Sequence, residues 1–258
     1  PAVRGVRGGR DDFGEQVRAT LVAAGVDTTY LTVDAQEGTG ISPVLTGADG
    51  EYASIIVPGA GWRLDTTDID AAHTAFKQSA VILLQCEIPI HLSVHAARLA
   101  RSLGLTVIFN ASPVPGNVAT IPAEMWPAVD VLLVNGTEAT LLSGMAVQEV
   151  PEAERASEAL QRLFGVPTVI GTRGGTGVVT RDAQGARHLP AWPVEVVETI
   201  GAGDAVAGVL ASELAHGLPR EAALPLANAA GALAATRPGA HDSLPTGAEI
   251  RAFLTRRQ

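Results

Sequence analysis

The chain has 258 residues, of which 47% are hydrophobic and only 17% are charged, so it can bury a large core and is close to the upper size of one domain. A net charge of −9 and the lack of a basic cluster beyond the first ten residues argue against nucleic acid and anionic membranes as partners. The only lysine, Lys77, follows no glycine-rich loop, which excludes a P-loop nucleotide site, and the only cysteine, Cys86, excludes an internal disulfide.

No apolar run approaches the roughly 20 residues that a membrane span needs. The opening residues, PAVRGVRGGR, have no apolar stretch of the kind found in a signal peptide. These features predict one cytoplasmic domain, residues 1–258, that acts on a small molecule.

The first predicted element is a β-hairpin, in which residues 40–46 and 51–57 flank a turn at 47–50. Its two strands mix polar and apolar residues instead of forming a continuous apolar run. Such a pair favours a flap that stands clear of a main sheet.

Short β-branched runs then alternate with Ala- and Leu-rich stretches at helical spacing, which is typical of α/β layering. The runs are apolar on both faces and predict buried parallel strands, while the helical stretches end at glycines, as a helix C-cap does. The predicted strands are 81–87, 105–110, 129–135 and 167–171, and the predicted helices are 91–104 and 152–165. A second hairpin is predicted within 176–191, and three helical stretches follow at 204–217, 221–237 and 247–258.

The strongest chemical signal is VVETIGAGDA, residues 196–205, which leads into a predicted helix. Gly201 and Gly203 around Ala202 permit a tight turn that presents backbone N–H groups at a helix N-terminus, where a phosphate is favoured. Asp204, in the first turn, could take the proton of an alcohol while its oxygen attacks phosphorus. Taken alone, the segment is explained equally well as a glycine turn with an acidic residue that favours the helix dipole.

With these residues the chain resembles the ribokinase, or PfkB, family of carbohydrate kinases. ETIGAGD matches the family signature Asp-Thr-x-Gly-Ala-Gly-Asp except at its first position, and VNGTE resembles the Asn-x-x-Glu motif that organises magnesium and phosphates. The resemblance is collinear from Asp11 to the C-terminus. Its other matches are DDFGEQVRATLVAAGVDT, the lid strands in GTGISPVLT and EYASIIVPGAG, and then LLQCEIP, FNASPV, TVIGTRGG and RPGAHDSLPT.

The resemblance implies an α/β fold, a ribokinase-like three-layer sandwich with a mostly parallel central sheet and a reduced β lid hairpin within 39–57. It implies an enzyme that transfers phosphate from ATP to a primary hydroxyl, with ribose to ribose 5-phosphate as the reaction. Two alternatives stay open, namely another sugar or a nucleoside as the acceptor, and a non-catalytic nucleotide-binding remnant. A homodimer through the lid is also possible.

The resemblance assigns roles to individual residues. Asp204 would be the catalytic base and contact the sugar, Gly201, Ala202 and Gly203 would form the anion hole, and Glu87 would contact the sugar. ATP would meet Asn135, Gly171, Thr172, Arg173, Gly174, Gly203 and Asn228. Glu138 would act through water on Mg²⁺, and K⁺ would be held by Glu198, Ile200, Ala234, Arg237, Gly239 and Ser243.

Four departures from the family pattern stand out. Glu198 replaces an aspartate at the K⁺ site, Val169 replaces a threonine that lines the ATP site, and Ala111 replaces a proline. The fourth is an opening segment of about fifty residues by ordinary element lengths, with a sugar-binding aspartate and a Gly-Gly-Lys-Gly stretch, that has no counterpart here. We therefore expect a truncated or mis-started chain, with Arg4 and Arg7 where an apolar strand is expected.

Two further signals favour unremarkable roles. His91 and His95 are four residues apart on a predicted helix, but without a third ligand they favour a solvated helix face over a metal site. Cys86 lies in an apolar strand and is interpreted as a small core residue.

Overall fold

A computed structural model describes residues 2–3, 5–46, 52–114 and 120–256 and divides the chain into two compact units. Unit 1 comprises Pro1–Gln78 and Glu87–Ala96, and unit 2 comprises Ser79–Cys86 and Ala97–Gln258. The assignment of residues 1–258 to one domain stays a prediction. Among the described residues, no helix is both long and apolar enough to cross a lipid bilayer.

Unit 1 begins with a short parallel strand pair joined through a helix. Strand β1 (Val6–Gly9) leads through α1 (Asp12–Ala23) to β2 (Leu31–Asp34), which pairs with β1 in parallel. Strands β3 (Val44–Thr46) and β4 (Tyr52–Ser54) pair antiparallel, which confirms a hairpin within 39–57. The predicted turn at 47–50 lies outside the described residues. A 3-10 turn (Gly59–Arg63) and two short helices, α2 (Thr66–Ala71) and α3 (His73–Gln78), follow.

Arg7 lies within β1, although the sequence suggested that arginine disfavours a strand there. Its guanidinium donates to the carboxylate of Asp34 over 3.3 Å and to that of Asp68 over 2.7 Å. Because both acceptors come from neighbouring elements of unit 1, the charge is paired and the strand can form. Arg4 lies outside the described residues.

Unit 2 contains a six-stranded sheet in the spatial order β10-β9-β8-β7-β6-β5. The four strands β5 to β8 run parallel, which confirms the predicted parallel run. Strand β9 pairs antiparallel with both β8 and β10, and its pairing with β10 confirms the second hairpin. The strands are β5 (Val81–Leu84), β6 (Thr106–Asn110), β7 (Val131–Asn135), β8 (Thr168–Thr172), β9 (Val178–Asp182) and β10 (Gly185–Leu189).

Helices cover both faces of this sheet, because neighbouring residues of a strand point to opposite sides. On one face, Ile108 and Leu133 join a core cluster with Val206 of α7 and Leu224 of α8. On the other face, Phe109 contacts Trp126, whose ring stacks on the last residue of α6, Phe164. From residue 90 onward the helices of the chain are α4 (Ile90–Ser102), α5 (Gly136–Ser143), α6 (Val150–Phe164), α7 (Ala202–Ala215), α8 (Arg220–Ala234) and α9 (Gly247–Thr255). The part of α4 up to Ala96 belongs to unit 1, and α9 packs on α8.

The predicted strand 81–87 is too long, because β5 ends at Leu84. Beyond it the chain leaves the sheet, and the N–H of Cys86 donates to the carbonyl of Ser112, in the loop after β6, over 2.9 Å. Gln85, Cys86 and Ser112 therefore lie at the carboxyl edge of the parallel strands, where open α/β sheets bind their ligands.

Candidate functional site

The N-terminus of α7 has the backbone shape that the glycine motif predicts. Gly201 is the N-cap residue and has φ +77°, a left-handed conformation that favours glycine. A Cβ there would also lie 2.8 Å from the carbonyl oxygen of Ala240. The first N–H groups of a helix have no acceptor within the helix, and together with the helix dipole they suit an anion such as phosphate.

Asp204 is the third residue of α7, and its carboxylate is exposed. Its Oδ1 accepts a hydrogen bond from Nε2 of Gln85 over 3.2 Å. Gly203, one residue earlier, has open space where a Cβ would stand. A carboxylate and a set of backbone donors therefore share one exposed helix end.

Glu138 is a buried carboxylate at the start of α5. Its Oε2 accepts from the N–H of Asn135 over 2.7 Å, and Oδ1 of Asn135 accepts from the N–H of Glu138 over 2.8 Å, which together form a capping box. Burial raises the pKa of Glu138, as does the nearby charge of Asp204, while hydrogen bonds from Asn135 and the Ser112 hydroxyl act in the opposite direction.

The predicted ATP-binding residues of β7 and β8 are neighbours. Asn135 and Thr172 are register partners at the carboxyl ends of these parallel strands, and Gly171 pairs with Val134. Gly174 follows in an exposed 3-10 turn. The structure therefore brings Asn135, Gly171 and Thr172 to one edge of the sheet.

The guanidinium of Arg173 is held by backbone carbonyls between α5 and α6. Nη1 donates to the carbonyl of Val147 over 3.1 Å and Nη2 donates to that of Gln148. Nη1 of the same guanidinium lies where a Cβ at position 136 would stand. The Arg173 side chain thus anchors the connection between α5 and α6, and its role toward ATP stays a prediction that concerns its backbone.

Asn228 is buried on α8, and only 8% of its surface is exposed. Its Nδ2 donates to the carbonyl of Pro190, just after β10, over 2.8 Å. The amide therefore ties α8 to the segment that leads toward the glycine motif. A contact with adenine stays a prediction.

The predicted K⁺ residues come together in two adjoining segments, 198–200 and 234–243. The N–H of Val197 donates to the carbonyl of Ala235 over 2.8 Å, and Oε2 of Glu198 accepts from the N–H of Gly239 over 2.6 Å. These contacts fix Glu198 and Ile200 beside the segment that contains Ala234, Arg237, Gly239 and Ser243. Because Gly201 packs on Ala240, the same segment also supports the helix end that carries Asp204.

Ser243 is fully buried, and its hydroxyl donates to the carbonyl of Ala240 over 2.9 Å. The hydroxyl oxygen, the backbone carbonyls and the Glu198 carboxylate are all oxygen donors, the ligand type that hard cations bind. The residues present therefore fit a monovalent cation. One oxygen of the Glu198 carboxylate, Oε2, already accepts from the N–H of Gly239, so it is less available to a cation.

The other residues singled out in the sequence are Glu87, His91, His95 and Cys86. Glu87 is exposed and belongs to unit 1, so its contact with sugar stays a prediction. Nε2 of His95 lies 2.7 Å from Oδ1 of Asp70, and His91 is exposed. Cys86 is partly exposed instead of fully buried, because β5 has already ended.

The departure at Ala111 has a structural explanation. Its N–H donates to the carbonyl of Leu133 over 3.0 Å, a bond that proline cannot make. Val169 is fully buried in β8.

Two residues that contact this site, Gln85 and Ser112, were missed by the sequence reasoning. The available signal was a polar residue directly after an apolar strand, at the edge where parallel strands end.

Comparisons with known proteins agree on one family. A model of the family described as "pfkB family carbohydrate kinase" matches residues 7–247. Ribokinase from Haemophilus influenzae is 28% identical over 246 residues, which cover 95% of this chain and 79% of that protein. Deoxyribokinase from Salmonella typhi is 28% identical over 249 residues, which cover 96% of this chain and 79% of that protein.

A solved structure of Arabidopsis thaliana ribokinase complexed with ribose and ATP superposes with a TM-score of 0.87 at 27% identity. The match covers 98% of this chain and 82% of the Arabidopsis chain.

Proposed function

The chain belongs to the pfkB family of carbohydrate kinases, and we propose that it transfers the γ-phosphoryl group of ATP to the primary hydroxyl of ribose, yielding ribose 5-phosphate. The ribokinases that align with most of this chain support the choice of acceptor. The relative named deoxyribokinase favours deoxyribose as a second acceptor. A cytoplasmic location and a homodimer stay predictions.

One observation carries the proposal, namely the hydrogen bond over 3.2 Å from Gln85, directly after β5, to Asp204 at the start of α7. It joins a helix N-terminus suited to phosphate with the strand edge that holds Asn135 and Thr172. A base, an anion site and the proposed nucleotide residues are then parts of one side of unit 2.

In the proposed reaction, Asp204 accepts the proton of the acceptor hydroxyl while that oxygen attacks the γ-phosphorus. The backbone N–H groups of Gly201, Ala202 and Gly203 stabilise the negative charge on the transferred group. In this step the N–H of Ala202, which donates to the carbonyl of Thr199 over 3.2 Å, exchanges that acceptor for the phosphoryl group. The bond from phosphorus to the bridging oxygen breaks and ADP leaves. No lysine is needed for these steps, which agrees with the single Lys77 of the chain.

Asn135, Gly171, Thr172, Gly174 and the backbone of Arg173 would hold ATP, with Asn228 near the adenine. Bound Mg²⁺ would neutralise charge on the phosphates, and Glu138 would hold it through water. A divalent cation would fit this site, because its positive charge would offset the cost of keeping the Glu138 carboxylate ionised where burial and Asp204 raise its pKa.

A K⁺ ion held by the two segments 198–200 and 234–243 would stiffen the anion hole. This part of the proposal rests on the packing of Gly201 against Ala240. Glu198 would contribute less to cation binding than an aspartate, because its carboxylate accepts from Gly239.

The test of the proposed function is kinase activity toward ribose and deoxyribose in the wild type and in Asp204→Asn. The variant should lose roughly 10²- to 10⁴-fold in kcat if Asp204 is the base. Asp12→Asn is the matched control, because that side chain is exposed on α1 and belongs to no proposed site, and it should keep full activity. Near-normal kcat in Asp204→Asn would overturn the assignment.

Calorimetry separates the kinase from a non-catalytic nucleotide-binding remnant. A kinase binds both a non-hydrolysable ATP analogue and the sugar in a saturable manner. Binding of the nucleotide alone would favour the remnant.

A further inference from the structure

Gln85 lies where the sheet of unit 2 meets the start of α7. It is the first residue after β5, the strand against which α7 packs. Its amide Nε2 donates to Oδ1 of Asp204 although 119 positions separate the two residues in the chain. Tertiary structure alone therefore produces this contact.

The backbone on either side of Gln85 is fixed. β5 pairs in parallel with β6 up to Leu84, and the next N–H after Gln85, that of Cys86, donates to Ser112 over 2.9 Å. The side chain of Ser112 in turn hydrogen-bonds Glu138. The amide of Gln85 thus projects from a held segment, and a held donor orients its acceptor more precisely than a mobile one.

The chemistry of an amide suits a contact with a general base. An arginine or lysine at this place would form an ion pair, which stabilises the ionised carboxylate and weakens it as a proton acceptor. A neutral amide donates one hydrogen bond and leaves the charge in place. The oxygen that it engages is Oδ1 of the carboxylate.

We propose that Gln85 is a positioning residue for phosphoryl transfer, whose amide fixes Oδ1 of Asp204 so that Oδ2 faces the acceptor hydroxyl. The inference rests on the proposed kinase function and deepens it. Gln85 acts through Asp204, so its removal affects the chemical step and leaves nucleotide binding intact.

The first test replaces Gln85 with methionine, which keeps the length of the side chain and removes the donor. Gln85→Met should lower kcat about tenfold, the effect of losing one hydrogen bond to a charged group, and change the KM for ATP by less than about twofold. Gln161→Met is the matched control. It removes a glutamine amide that donates to the carbonyl of Pro167 over 2.9 Å, and it should leave kcat unchanged.

An unchanged kcat in Gln85→Met would overturn the proposal. A rise in the KM for ATP by the same factor as the fall in kcat would also overturn it, because that result indicates a general loss of structure.

A double-mutant cycle tests whether Gln85 acts through Asp204. In the Asp204→Asn background, Gln85→Met should cause no further loss of kcat, because the base that it positions is already absent. If the two substitutions lowered kcat by independent factors that multiply, Gln85 would act independently of Asp204, which would contradict the proposal.

A spectroscopic test does not depend on activity. The side-chain carboxyl ¹³C resonance of Asp204, assigned by its loss in Asp204→Asn, should move in Gln85→Met at constant pH and stay fixed in Gln161→Met. An unmoved resonance in Gln85→Met would refute the contact. If the wild type phosphorylates neither ribose nor deoxyribose, the proposed function fails, while this resonance still decides the inference about Gln85.

Discussion

The two compact units are stabilised by different kinds of interaction. In unit 2, large apolar side chains from the sheet and its helices, such as Phe109, Leu132 and Leu210, are fully buried. In unit 1, the buried apolar side chains among the described residues are two leucines and four alanines, namely Leu31, Leu92, Ala60, Ala72, Ala75 and Ala96. Unit 1 therefore depends less on apolar volume.

Polar contacts and close backbone packing take the place of that volume in unit 1. Oδ1 of Asp11 accepts from the N–H of Gly14 and from the Thr39 hydroxyl, and the same hydroxyl accepts from the N–H of Gly9. Asp34 accepts from both Arg7 and Arg63. We therefore expect cavities to destabilise unit 2 most, and added atoms or lost charges to matter more than cavities in unit 1.

The largest expected effect is a cavity in unit 2. Phe109→Ala should lower the free energy of unfolding by about 3–5 kcal/mol, because the ring is fully buried and packs on Trp126. Urea unfolding followed by circular dichroism measures it. Phe13→Ala, on a side chain that is 57% exposed in unit 1, should change it by less than about 0.5 kcal/mol. Equal losses of unfolding free energy in the two variants would contradict the proposed difference between the units.

Adding one methyl group to unit 1 should have the next largest effect. In Gly9→Ala the new Cβ would lie 2.6 Å from the backbone of Gly38, so the free energy of unfolding should fall by about 1–3 kcal/mol. Gly5→Ala is the control, because nothing lies within 4 Å of its Cβ position. If both variants unfold at the same urea concentration, close backbone packing does not limit unit 1.

Charge in unit 1 should give a smaller, pH-dependent effect. Backbone N–H donors from Gln36 and Glu37, together with Arg63, hold the pKa of Asp34 well below its usual range. A carboxylate of this kind stabilises the fold above its unfolded pKa of about 3.9, and loses that contribution as the pH falls toward the folded pKa.

We therefore expect Asp34→Asn to unfold at lower urea than the wild type at pH 6, and the two curves to converge as the pH falls below about 4. Asp242→Asn, with a side chain that is 95% exposed, should show no such difference. A gap that widens on acidification would contradict this sign.

The smallest expected effect concerns Glu198, in the segment 198–200 of unit 2. Glu198→Asp shortens the side chain, so the carboxylate loses its reach to the N–H of Gly239 and becomes available to a cation. KCl should then raise the thermal midpoint of the variant by about 1–2 °C more than that of the wild type, compared with choline chloride at equal concentration. Identical shifts in both proteins would show that Glu198 does not limit cation binding.

Much of the fold follows from local patterns in the sequence. The apolar runs of β6, β7 and β8 and the helical spacing of α6 lie close to their predicted positions, because each buries a face that its own periodicity defines. β1 was harder to predict, since the residues that neutralise Arg7 are Asp34 and Asp68, well separated from it in the chain. The end of β5 was also missed, because a loop after β6 captures the N–H of Cys86.

The sequence alone was enough to predict the family, the helix end at Gly201 to Asp204, and the Asn-x-x-Glu motif of Asn135 and Glu138, because each is a contiguous segment whose chemistry is local. The tertiary structure alone decided which distant groups meet. It directed the Arg173 guanidinium to the carbonyls of Val147 and Gln148, joined Glu198 to Gly239, and placed Gln85 on Asp204. Hydrogen bonds require approach within about 3 Å, and only the folded chain sets distances between residues that lie far apart in sequence.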